Sequence, residues 1–207
     1  MSLKLIVKEL KAHIPFTVYG AITGLVIMFF TRNISSDAAY NVFYVLHPMH
    51  VLLSALVTAS MYESYKCSTD RRKCSIWMLL LIGYIGSVGI ATISDSIIPY
   101  LGETLLDMPN RGIHLGFIEK WWLVNPLALA GIAIAYFRPS TKFPHAAHVL
   151  LSTWASLFHI IMARGGALGL GSYILVFIFL ILAVWLPCCI SDIVFPLLFI
   201  KDKAEGN

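Results

Sequence analysis

The chain has 207 residues, 58% of them hydrophobic and only 13% charged, and its mean hydropathy is +0.80. That balance excludes an ordinary water-soluble surface and points to an all-α integral membrane protein. The formal net charge of +4 comes from basic residues scattered between apolar runs rather than from one basic face, so nucleic acid is excluded as a partner.

In chain order, Met1 to Ala12 is polar and basic, and no small-residue cleavage site of the A-x-A kind follows it, so the first apolar run is expected to be retained. A run of about 20 apolar residues crosses a hydrocarbon core. Six can be drawn: Ile14 to Thr31, Tyr40 to Tyr62, Ser75 to Leu101, Trp121 to Phe137, Pro144 to Ala163 and Ser172 to Ile200. All are expected to be helices, because open strands leave backbone groups unpaired in lipid.

Eleven of the fifteen Lys and Arg residues lie at the N-terminus (Lys4, Lys8, Lys11), in the second loop (Lys66, Arg71, Arg72, Lys73), in the fourth (Arg138, Lys142) and at the C-terminus (Lys201, Lys203). The other loops hold Arg32, Arg111, Lys120 and Arg164. This asymmetry predicts a multi-pass protein of the cell membrane with both termini cytoplasmic. Trp121 and Trp122 then belong at the outer interface. The long third loop, 102–120, is expected to fold over the outer face as a short helix or lid. Gly20 and Gly24, and Gly83, Gly86 and Gly89, mark places where helices approach closely. Cys67, Cys74, Cys188 and Cys189 show neither a C-x-x-C spacing nor a dense framework, and are read as reduced thiols.

One pattern occurs twice. His47-Pro48-Met49-His50-Val51-Leu52-Leu53-Ser54 returns 98 residues later as His145-Ala146-Ala147-His148-Val149-Leu150-Leu151-Ser152. Ile93-Ser94-Asp95 with Pro99 returns 97 residues later as Ile190-Ser191-Asp192 with Pro196. Two matches at nearly one offset argue for an internal duplication. It divides the chain into a first three-helix repeat (1–101), an outer loop (102–120) and a second three-helix repeat (121–207). Three crossings per half set the halves in opposite senses, giving six transmembrane helices as an inverted 3+3 repeat.

The repeated polar residues carry the chemistry. Of eleven acidic residues, only Asp95 and Asp192 fall well inside the expected spans, where a carboxylate is costly unless neutralised, paired or wet. His47 and His50 stand at i and i+3 on one helical face, and a hairpin between the second and third helices brings Asp95 toward them. Pro99 and Pro196 cannot donate a backbone N–H, which frees the Asp95 and Asp192 carbonyls.

The expected metal ligands are therefore His47, His50 and Asp95 in one half and His145, His148 and Asp192 in the other. Such sets suit Zn²⁺, Fe²⁺, Mn²⁺, Co²⁺ or Ni²⁺, and the lack of sulfur disfavours Cu(I). His13, His114, His159, Glu103 and Glu119 are possible additional ligands, with Glu103, in the third loop on the outer side just past Pro99, a candidate entry carboxylate. Ser54, Ser94, Ser152 and Ser191 read as supporting hydrogen bonders, not nucleophiles. The plainer alternative is that the histidines cap helices, the aspartates are hydrogen-bonded in place and the prolines are ordinary kinks.

These residues lead to the expectation of a transporter or channel-like permease for a divalent transition metal, with protons as possible counter-ions. The lipid bilayer and the ion are its partners, and a homo-oligomer is possible. The alternative is an intramembrane metal-dependent hydrolase or oxidoreductase acting on a lipid-soluble substrate. A b-type haem protein and a non-catalytic interaction protein are the remaining readings.

Overall fold

The computed structural model describes residues 3–66, 75–166, 168–190 and 194–198, which form helices and connecting turns with no strand among them. The main helices are α1 (Leu3–Phe30), α2 (Ser36–Lys66), α3 (Ile76–Leu105), α4 (Trp121–Phe137), α5 (Lys142–Ala163) and α6 (Leu170–Cys189). A one-turn helix, Gly116–Glu119, precedes α4, and a short helix, Phe195–Leu198, ends the described chain. Four stretches are long and apolar enough to cross a membrane: Ser36–Ser64, Ile76–Leu105, Pro144–Ala163 and Leu170–Cys188. Ile14–Phe30 and Trp121–Phe137 are apolar but shorter. The chain is thus all-helical and consistent with a membrane protein, and each expected apolar run, as far as it is described, falls on one of these helices.

Helix ends follow from local chemistry. Ser35 caps α2, its hydroxyl accepting from the Ala38 N–H, and Asp37 adds a negative charge to the first turn. At the other end of α3, Asp107 takes a left-handed backbone (φ 47°), and the Met108 and Asp107 N–H groups return to the Glu103 and Thr104 carbonyls. This is a Schellman closure, with aspartate in the position that glycine usually holds and Met108 buried beneath it. The helix therefore runs four residues past the expected boundary at Leu101. That corrects the position of Glu103, which lies in the last turn of α3 and is fully buried inside the protein rather than in the connecting loop as an entry carboxylate.

α3 is not a regular helix. Ile85–Gly89 and Ile93–Ile97 are π-helical, and the Ile98 N–H donates to the carbonyl of Ile93, five residues back. Pro99 follows at once; a proline ring crowds the carbonyl four residues before it, and a widened turn relieves that crowding. Ile190 and Val194 carry the same π geometry, at the duplication offset from Ile93 and Ile97, again two residues ahead of a proline.

α2 makes its most extensive contacts with α5 and α4. Within the apolar windows, 67% of α2 and 72% of α5 is buried inside the protein, against 39% for α3 and 28% for α6. The two helices carrying the repeated histidine pattern are thus the inner pair. Gly131 on α4 permits the α2 approach, since a Cβ there would collide with the Leu52 carbonyl. Of the glycines expected to mark close packing, Gly20 meets Thr153, Gly83 meets Ile132 and Gly86 meets Thr58, whereas Gly89 faces nothing within 4 Å.

Candidate functional site

Asp95 sits in the π-helical turn of α3, fully buried. Its Oδ2 is 2.9 Å from His47 Nδ1 and 2.7 Å from His50 Nδ1. Its Oδ1 accepts from Ser94 Oγ at 2.6 Å and Ser152 Oγ at 2.8 Å. An ionised carboxylate only accepts, so each histidine presents Nδ1–H to it, and the neutral ring carries its lone pair on Nε2. Asp95 thus acts on its histidines as a carboxylate acts behind a metal-binding imidazole, fixing tautomer and ring orientation. The expected first-half set is brought together, but as a hydrogen-bonded triad in which both aspartate oxygens are already engaged. Ser94 and Ser152 take the supporting positions anticipated for them, and Ser156 Oγ reaches the Ser94 carbonyl at 2.9 Å, tying α5 to the widened turn.

The Nε2 of His50 is buried and has no hydrogen-bond partner. Its ring stacks on that of His148 at 5.7 Å, 11° from parallel. One ligand atom from each of His50, His148 and Cys188 lies within 4.8 Å of the others, and all three residues are buried. These residues come from α2, α5 and α6. Two imidazole nitrogens and one thiolate suit a tetrahedral cation, whose ligand atoms stand roughly 3.5 Å apart at ordinary Zn–N and Zn–S bond lengths, so a modest contraction suffices. Cys188 also removes the argument against Cu(I), because a soft sulfur joins the set, and it makes Mn²⁺ the poorest match among the expected metals.

Cys188 is the residue that sequence reasoning missed. It has no counterpart in the first half, where Ala91 occupies the equivalent position at the 97-residue offset, so a search guided by duplication passes over it. His145 is partly exposed, its ring 5.1 Å from and perpendicular to that of His148. Asp192 lies outside the described residues. His13 falls on α1, with its side chain outside them. Pro99 and Pro196 are both buried.

The other expected ligands form a second cluster toward the 106–120 segment. Buried Glu103 and His159 are joined at 2.6 Å between Oε1 and Nδ1. His159 Nε2 is 3.2 Å from Ser96 Oγ, which accepts the His114 N–H at 2.9 Å. The Glu103 Oε2 accepts from Gly112 N at 3.3 Å. Glu119 receives Tyr44 Oη at 2.6 Å, the Leu115 N–H at 3.1 Å and His114 Nδ1 at 3.3 Å. Burial works to raise the Glu119 carboxyl, but the hydrogen bonds from Tyr44 and His114, the His114 charge and the Leu115 N–H outweigh it and hold the group below its ordinary range. Gly116 closes over His47, since a Cβ there would lie 2.5 Å from His47 Nε2. The segment expected to fold as a lid is thus fastened over both polar clusters.

Comparison with protein-family models, curated proteins and solved structures finds no match.

Proposed function

We propose that the chain is a multi-pass membrane permease for a divalent transition metal, crossing six times as an inverted 3+3 repeat with both termini cytoplasmic and segment 102–120 outside. The observation that carries this reading is the convergence of His50, His148 and Cys188 from three helices on one buried point. In carriers built from inverted repeats, the substrate sits where the repeats meet and where helices are broken. His50 belongs to the first half, His148 and Cys188 belong to the second, and the π turns of Ile93–Ile97 and of Ile190 and Val194 stand in the same relation to their prolines.

The metal is cargo here, so its ligands must also release it; two neutral imidazoles with a single thiol favour exchange over the permanent retention of a thiolate-rich site. Isothermal titration with Zn²⁺ and uptake into proteoliposomes are expected to fail in both His50→Ala and His148→Ala. Unchanged binding and uptake in both variants would sink the proposal.

A second reading, an intramembrane metalloenzyme, is favoured by the fact that one histidine of each pair, His50 and His148, meets the other at a single buried point. It predicts a stoichiometric metal that survives dialysis, whereas the permease predicts one that washes out.

A further inference from the structure

We infer that the groove between the end of α1 and the start of α6 binds one anionic phospholipid, with an acyl chain in the groove and the phosphodiester between Arg32 and Arg164. The inference goes beyond the permease reading and requires only that the chain lie in a bilayer. The groove has a volume of about 640 Å³ and is lined by Leu25, Val26, Phe29 and Phe30 of α1 and by Leu170 and Tyr173 of α6. Phe30 and Leu170 are 78% and 81% exposed, so nothing among the described residues covers it.

Both arginines stand at the level of a headgroup. The apolar stretches of α1 and α5 end at Phe30 and Ala163, and that of α6 begins at Leu170; Arg32 and Arg164 therefore lie just past the hydrocarbon boundary on the same side. They share one rim of the groove. The Arg164 guanidinium donates to the Thr31 carbonyl, part of the peptide unit that joins Thr31 to Arg32, and the Arg32 guanidinium lies 5.6 Å from the centre of the Phe29 ring. On the α6 side, Tyr173 is close enough to Arg164 for its hydroxyl to act on that charge.

The positive charge is what lacks a partner. Arg164 is only 8% exposed, and its bond to Thr31 caps the end of α1 with one of five guanidinium N–H groups. Among the described residues neither arginine is ion-paired: Asp107 goes to Arg111, Glu119 to His114 and Glu103 to His159, while Asp37 is exposed in the first turn of α2. A guanidinium buried without a counter-charge is unfavourable, and a pair of phosphodiester oxygens matches its fork. A zwitterionic lipid brings its own ammonium to that rim; an anionic one does not. Apolar contact alone does not select a lipid, because an acyl chain is equally well solvated by its neighbours in the bilayer. The groove therefore places the chain, and the two arginines set the preference for the head.

The test is native mass spectrometry of the full chain in detergent, titrated with dioleoylphosphatidylglycerol or with dioleoylphosphatidylcholine. The wild type should retain one phosphatidylglycerol in preference to phosphatidylcholine. Arg32→Gln should cut that preference roughly fivefold, the strength of one guanidinium near a charged membrane surface, and Arg164→Gln at least as much. Arg32 is exposed, so its variant serves where Arg164→Gln does not assemble. Leu170→Trp, which fills the groove and leaves both charges, should weaken the two lipids together without changing the preference. Equal retention of the two lipids by the wild type overturns the inference, as does a preference unchanged in the arginine variants. Displacement of phosphatidylglycerol by inorganic phosphate overturns it by making the rim a site for a free anion. A dimer that retains no lipid and disappears in Leu170→Trp overturns it by giving the groove to a second copy of the chain. No Zn²⁺ enters these measurements, so the permease reading and this inference fail separately.

Discussion

The two copies of H-x-x-H-V-L-L-S lie on helices buried to nearly the same extent, yet their surroundings differ. In the first copy both histidines are held by one carboxylate, and one of them, His50, turns an unpartnered Nε2 toward the other half. In the second copy His145 reaches a partly exposed position, while His148 stacks on His50 beside Cys188. The second copy's serine, Ser152, crosses over to bond the first copy's aspartate. The pattern fixes which helical face carries the imidazoles; their roles come from what the neighbouring helices set against that face.

Removing the carboxylate should break this difference most severely. Asp95→Ala leaves two buried imidazole N–H groups and two hydroxyls facing a void, and is expected to destabilise the fold by about 3 kcal/mol or more. Metal affinity in any surviving protein should fall roughly ten- to a hundredfold, because His50 loses its orienting partner. Thermal unfolding in detergent and isothermal titration read the two effects, and a melt unchanged from wild type would mean that the carboxylate does not organise the site.

The second copy can be divided within itself. His148→Ala should abolish binding of Zn²⁺, whereas His145→Ala should weaken it less than tenfold; equal losses would place His145 among the ligands. Smaller again is Ser152→Ala, which removes one of four hydrogen bonds to Asp95 and should cost about 1 kcal/mol in the same melt.

The smallest effect concerns pH and the fastening of the outer segment. Glu119 is held below its ordinary range in the folded chain, so its contribution is complete above the unfolded value near pH 4.3 and fades as pH falls through the lower folded value. Hydrogen exchange at the Leu115 amide, which Glu119 accepts, should accelerate on acidification across that range relative to a neighbouring control amide. In Glu119→Gln that pH dependence should flatten. A protection profile indifferent to both changes would detach Glu119 from the latch.

How much was legible varied with the range of the interaction. The apolar runs predicted where the helices lie, because hydropathy over about 20 residues is a local sum. The i, i+3 spacing and the succession of the two helices brought His47, His50 and Asp95 together for the same reason: helices adjacent in sequence have few alternatives to packing side by side. Pro99 signalled a disturbed helix but not its form, since whether a helix kinks or widens depends on which hydrogen bonds its neighbours can replace. Ser152 was legible as a hydrogen bonder, but not its choice of partner.

By itself, then, the sequence determined an all-helical, membrane-compatible chain, the repeated histidine pattern, the faces on which the histidines stand and the pairing of His47 and His50 with Asp95. Tertiary structure decided that His50 and His148 meet, that Cys188 joins them, and that Glu103 turns inward to His159 rather than outward. These contacts link residues 40 to about 140 positions apart. They depend on how α5 and α6 pack against α2 and α3, a packing set by side-chain shape across whole helix faces, and no local period or motif encodes it.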